Sequence, residues 1–234
     1  MNQREDLNLK NMNESRPILA IETSGSLCST SLYFSDDKYF LTNTNLKNSH
    51  SEKLFSQIEF LFHEAEIEKN DIKLVAVSSG PGSFTGLRIG MAAAKGIASG
   101  VNVPIVSVPT FEAFAYQITS IIGGDSEFII ANRVNKEEIY YAKFQIKANS
   151  YIFTDQLTIL PNGDFLRNAT GIRTFGNANS LLKENEKDQV LSAPSALWIA
   201  KWASDFGNEK LNYDFDYLEP LYLKNFYVKV RQKK

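Results

Sequence analysis

The chain has 234 residues, 43% of them hydrophobic and 22% charged, with a net charge of −2. That balance permits one large or two smaller packed cores and leaves no broad positive field to attract nucleic acid. A lone cysteine, Cys28, excludes an internal disulfide and fits a reducing compartment, and no apolar run approaches the ~18 residues of a membrane helix.

The first sixteen residues, MNQREDLNLKNMNESR, are polar and lack the apolar segment of a signal peptide. They read as a disordered tail, with Met12 an alternative start, and the expected location is cytoplasmic. PILAIETS (17–24), CSTSLYF (28–34) and KYFLTNTNL (38–46) read as three antiparallel strands joined by turns at Gly25-Ser26 and Asp36-Asp37. A helix follows, with capping-box spacing at Ser49 and Glu52 and an apolar face of Leu54, Ile58, Leu61 and Ala65. Next come strand 72–79, a glycine turn, a helix from Phe84 to Ser99, strand 103–108 and a helix from Thr110 to Ser120. The order βββαβαβα predicts an α/β lobe of the actin-like, ribonuclease H-like kind, a mixed sheet with helices on both faces.

Gly123-Gly124-Asp125 marks the expected domain boundary, giving a first lobe over 17–122 and a smaller second lobe over 123–227. In the second, 127–134 and 137–147 read as a hairpin, 155–160 and 172–178 as further strands, and Pro194 to Phe206 as a helix. The ending VKVRQKK (228–234) is a basic tail, read as solvated, with contact to RNA or a partner as the alternative.

The stretch VSSGPGSFTGLRIGMAAAKGIASG (77–100) has the layout of a phosphate loop, a strand turning through glycines into a helix. It is no Walker loop: from Gly80 to Gly86 the spacing is one residue too long, and Leu87-Arg88 stands where Lys-Ser/Thr is required. A dinucleotide fingerprint fails too, because Phe84-Thr85 falls where the third glycine belongs. Gly80, Gly82 and Ser83 remain candidates for holding an anion with free amides, against the simpler reading of a tight turn with Ser83 as helix cap.

In the helix that follows, Gly86, Ile89, Gly90, Ala93 and Ile97 share one face, and their small size allows close approach to a sheet. The opposite side, Arg88, Met91, Ala92, Lys95 and Ser99, is only half polar. Phe55 and Phe62 add a second apolar edge to the preceding helix. More apolar surface than one sheet can cover points to a protein partner, burial under the second lobe being the alternative.

ILAIETSGSLCSTSLY, HSEKLF, VAVSSGPGSFTGLRIGMAAAKGIA and VPIVSVPTFEAFA together resemble the TsaB (YeaZ) family, most strongly from Ile18 to Ala115. IANRVNKEEIYYAKF is similar to that family's Asp-Ala-Arg…Glu-Val-Tyr hairpin, with Ala131 in place of the acid, and EPLYLKNFYVK to its C-terminus. The resemblance implies a two-lobed ASKHA fold and a non-catalytic role in forming N6-threonylcarbamoyladenosine beside the tRNA anticodon. It implies direct pairing with the transferase TsaD through helices equivalent to 50–66 and 84–99, with the ATPase TsaE in a ternary complex. A homodimer when alone and tRNA contact mainly through TsaD are also implied. Phe55, Phe62, Arg88, Met91 and Lys95 are the expected interface residues. No cofactor is expected on this chain, ATP and metal belonging to the partner subunits.

The catalytic paralogue of that family carries a His-x-x-x-His metal pair at the start of the first helix. Here His50 is followed by Leu54, and His63 lies about 20 Å further along the helix. Ser78, Ser79 and Ser83 have no predictable base nearby, and Cys28 lacks one in sequence. Glu22 stands where active ASKHA kinases keep an aspartate. No catalytic and no metal residues are expected. A small-molecule kinase of the same lineage, or a peptidase in line with the older M22 classification, are the rival readings.

Overall fold

The structure is a computed structural model and describes residues 16–45, 50–148, 150–182 and 191–223. The expected N-terminal tail up to residue 15, the Ser49 cap, the side chain of His50 and the basic segment 228–234 lie outside the described residues.

Strands β1 (Ile18–Glu22), β2 (Leu27–Ser35) and β3 (Lys38–Asn45) form an antiparallel meander. Helix α1 (His50–Ala65) leads to β4 (Leu74–Gly80), α2 (Phe84–Val101), β5 (Ile105–Pro109) and α3 (Thr110–Ile122). Strands β4 and β5 extend the sheet in parallel from β1, so the order is β3-β2-β1-β4-β5. This is the mixed sheet that βββαβαβα predicts. Strands β1 and β4 are buried along their whole length, as a sheet with two covered faces requires. Leu19, Ile21, Val75 and Val77 face α1 and α2, whereas Ile18, Ala20, Ala76 and Val106 face the opposite layer.

A second sheet holds β6 (Glu127–Arg133), β7 (Glu138–Lys147), β8 (Ser150–Pro161) and β9 (Arg173–Phe175) in the order β8-β7-β6-β9. Phe111, Phe114 and Ile118 of α3 pack on Phe128 and Phe144 of one face. On the other, the short helix α4 (Asn162–Asn168) inserts Phe165 against Ile129 and Tyr141. The protein is thus a two-lobed α/β molecule of the ASKHA type. Helix α4 has no counterpart in the sequence reading, because seven residues with one buried side chain, Phe165, carry no readable period.

Helix α5 (Ala196–Phe206) corrects the expected domain division. The sequence places 123–227 in the second lobe, yet Ala196, Ile199, Ala200, Trp202 and Ala203 pack on Ile18, Ala20 and Ala76 of the first sheet. The Ala196 N–H donates to Ser29 Oγ at 2.8 Å, fixing the start of α5 on β2. The physical reason is the apolar second face of β1 and β4, which no helix within 17–122 covers in full. Beyond α5, residues 211–223 form a strap over the first lobe. Asn212 and Ile105 exchange two backbone hydrogen bonds of 2.9 Å, which shields the edge of β5. Further along, the Leu221 N–H donates to the Ser79 carbonyl at 2.7 Å.

Candidate functional site

The turn between β4 and α2 is built from internally satisfied backbone. The Gly80 N–H donates to Thr110 Oγ1 at 3.0 Å, and the Ser83 N–H donates to the Ser24 carbonyl at 2.6 Å. Ser83 Oγ accepts the Gly86 N–H at 3.2 Å and so caps α2. Two of the three candidate anion donors, Gly80 and Ser83, have therefore committed their amides elsewhere. The third, Gly82, lies against Ser24, where a β-carbon would come within 2.7 Å of the Ser24 Cβ. A β-carbon on Gly90 would likewise collide with the Thr23 hydroxyl. These glycines let α2 sit directly on the end of β1, which is the close-packing role rather than a phosphate cradle.

Glu22 closes β1 and is fully buried, with its Oε1 accepting the Ser24 N–H. Burial pushes its carboxyl up from 4.5 to about 7, and hydrogen bonds from Ser24 and Ser78 offset this only in part. Cys28 is also buried, and desolvation together with the nearby Glu22 charge raises its thiol to about 11. A thiol held protonated is a poor nucleophile. His63 is exposed on α1 beside Glu64, at 3.2 Å. Among the described residues no three His, Cys, Asp or Glu side chains are grouped to hold a metal ion.

The outward side of α1 and α2 is the remaining candidate, and it differs from the expectation at two positions. Phe62 is 6% exposed and Met91 is 3% exposed, both packed in the core beneath the sheet's helical layer. Neither offers the open surface expected of it: Phe62 flanks the apolar stripe of α1 closely enough to be taken into the core, and the buried face of α2 is turned toward Leu87, Met91, Ala94 and Ala98, so the side read as outward at Met91 meets the core. Phe55 is open at 53%, and Phe60, which the sequence reading passed over, is equally open. Arg88 and Lys95 lie on the outward side of α2, but the strap reaches both. The Arg88 guanidinium sits 3.9 Å above the Phe84 ring, and its Nε donates to the Tyr222 hydroxyl at 3.1 Å. Lys95 Nζ donates to the Asp216 carbonyl at 3.5 Å.

Comparison with known proteins gives these features a context. A family model described as "TsaD: tRNA N6-adenosine threonylcarbamoyltransferase" matches residues 44–152. A "tRNA threonylcarbamoyladenosine biosynthesis protein TsaB" of Buchnera aphidicola subsp. Baizongia pistaciae is 34% identical over 130 residues, 55% of this chain and 58% of that protein. This chain thus spans a little over half the length of that relative. The protein of the same name from Haemophilus influenzae is 22% identical, and there the match covers 89% of this chain and 93% of the relative. The chain is similar to proteins of the TsaB (YeaZ) family. The solved structure "YeaZ from Pseudomonas aeruginosa", at 21% identity, superposes over 89% of this chain and all of its own with a TM-score of 0.71, in agreement on the fold.

Against the pattern of the TsaB (YeaZ) family that the chain resembles, the departure at Ala131 has a structural basis. Ala131 is fully buried beside Ile139 and Tyr141, and Gly176 is pressed against its carbonyl so closely that no β-carbon would fit. A carboxylate at this position would stand unpaired in an apolar layer.

Proposed function

We propose that this chain works in tRNA threonylcarbamoyladenosine biosynthesis as a non-catalytic subunit that binds a TsaD-type transferase and supports it. The observation that carries this reading is the outward side of α1 and α2. Two helices lie on one face of the first sheet, and Phe55 and Phe60 remain half exposed on α1. The exposed aromatic side chains of α1, with Arg88 and Lys95 on the outward side of α2, are of the kinds suited to protein association. ATP, metal and TsaE engagement belong to the partner side of such a complex, and tRNA is reached mainly through TsaD. In the absence of that partner, the same face serves a homodimer. The cytoplasm is the proposed location.

The kinase reading finds less support, since the amides of Gly80 and Ser83 are already bonded within the turn. Light scattering on the chain, its cognate TsaD and their mixture tests the proposal. A 1:1 species, weakened by the double substitution Phe55→Ser and Phe60→Ser, is the expected result. Two separate species at micromolar concentration overturn it.

A further inference from the structure

The strap does more than close the edge of β5. Between α2 and the strap runs an open groove of about 230 Å³, lined by Arg88, Met91, Ala92, Lys95, Leu218, Glu219, Pro220 and Tyr222. Half of its wall is helix and half is strap. Phe215 and Leu218 anchor the strap on the first core. Tyr222 packs on Phe84 with ring centroids 5.1 Å apart. The groove therefore exists only while residues 211–223 are docked.

We propose that this groove receives an acidic segment of the protein partner, with an apolar side chain on its floor and a carboxylate at its basic rim. Met91, Ala92, Leu218 and Pro220 supply the apolar floor. Arg88 and Lys95 stand seven residues apart on one side of α2, about 10 Å along the helix axis. Among the described residues both bond to neutral oxygens, Arg88 to the Tyr222 hydroxyl and Lys95 to the Asp216 carbonyl. Neither forms an ion pair with a carboxylate among the described residues. Of the charged residues lining the groove two are cations and one, Glu219, is an acid, on a chain whose net charge is −2. A carboxylate brought by the partner completes these charges at the edge of an apolar contact, where electrostatic complementarity sets partner choice and association rate. The volume accommodates one aliphatic side chain and its neighbours, not a folded domain.

This inference rests on the proposed pairing with TsaD, and the test separates the two. Ala92 is exposed in the middle of the groove, so Ala92→Glu and Ala92→Lys alter charge without disturbing the core. Affinity for TsaD is measured by calorimetry for the wild type and both variants at low and at high salt. Both side chains occupy the floor, so the charge effect is the difference between them: Ala92→Glu is expected to bind about tenfold more weakly than Ala92→Lys at low salt, with that gap closing at high salt. Wild-type binding with equal effects of the two variants, or with none, overturns the groove proposal alone. No binding by the wild type overturns the pairing itself.

Discussion

Thr23 and Gly86 hold the end of the first strand to the second helix of the first lobe. The Thr23 hydroxyl donates to the Gly86 carbonyl at 2.8 Å in a buried position. Gly86 in turn faces the Thr23 carbonyl so closely that a β-carbon would overlap it. Gly86→Ala is therefore expected to destabilise the protein by about 2–3 kcal/mol, since backbone cannot yield as a flexible side chain would. Gly96, on the same helix, has nothing within 4 Å of its β-carbon position. Gly96→Ala should stabilise by about 0.5–1 kcal/mol through helix propensity. Urea midpoints for the two variants should move in opposite directions. Equal shifts would show that the helix is not seated on Thr23.

Glu22 makes stability depend on pH. Its native carboxyl titrates near 7 rather than 4.5 because of burial, so between those values the folded state binds the proton that the unfolded chain releases. Stability then falls as pH rises from about 4.5 and levels off above about 7, a loss of about 3 kcal/mol. Glu22→Gln removes the charge and should flatten that part of the curve, leaving the variant the more stable protein at pH 8. Chemical denaturation from pH 4.5 to 8 checks this, and a wild-type curve rising over that interval would contradict it.

Tyr151 joins the two lobes. Its hydroxyl donates to Glu112 Oε2 at 2.9 Å and accepts the Trp202 Nε1–H at 2.8 Å. It thereby links β8 of the second lobe to α3 and to α5. Tyr151→Phe keeps the ring but strands the buried indole N–H, at an expected cost of about 1–3 kcal/mol. Thermal unfolding with intrinsic tryptophan fluorescence should register both the loss and the changed surroundings of Trp202. An unchanged midpoint would mean that water replaces the hydroxyl at no cost.

Cys28 should be silent to thiol reagents in the native protein. It is fully buried, and its thiol is raised to about 11, so little thiolate forms at neutral pH. Ellman's reagent should find no free thiol in buffer and one in 6 M guanidinium chloride. Rapid labelling of the folded chain would indicate that the layer between β2 and α1 opens locally.

The elements of the first lobe were legible from local pattern. Short runs of strand-forming residues bounded by turn residues mark β1 to β5, and the Ser83 cap with the small-residue stripe Gly86, Gly90, Ala93 marks α2. A tight turn at residues 80–83 and a close-packing role for Gly86 were legible too, but failure of both phosphate-loop spacings left anion binding open beside the tight turn. At the proposed docking face, Phe55 was found from its place beside the apolar stripe. Phe60 was not, since it lies on the far margin of that stripe.

The amino-acid sequence by itself determined the order of strands and helices in the first lobe and the α/β class, because caps, turns and periodicity act over a few residues. Only the tertiary structure decided which neighbour each face meets. Helical spacing puts Phe62 beside the core-facing stripe and Met91 opposite it, but the way the two helices seat on the sheet decides that both are buried. The pattern of 196–206 shows an apolar helix, and it is the uncovered face of β1 and β4, more than a hundred residues earlier, that draws it back to the first lobe. The strap lies furthest beyond local reading: Tyr222 meets Arg88 across 134 positions of the chain. Such contacts form when distant apolar surfaces are removed from water together, a gain that belongs to the assembled fold and to no single segment.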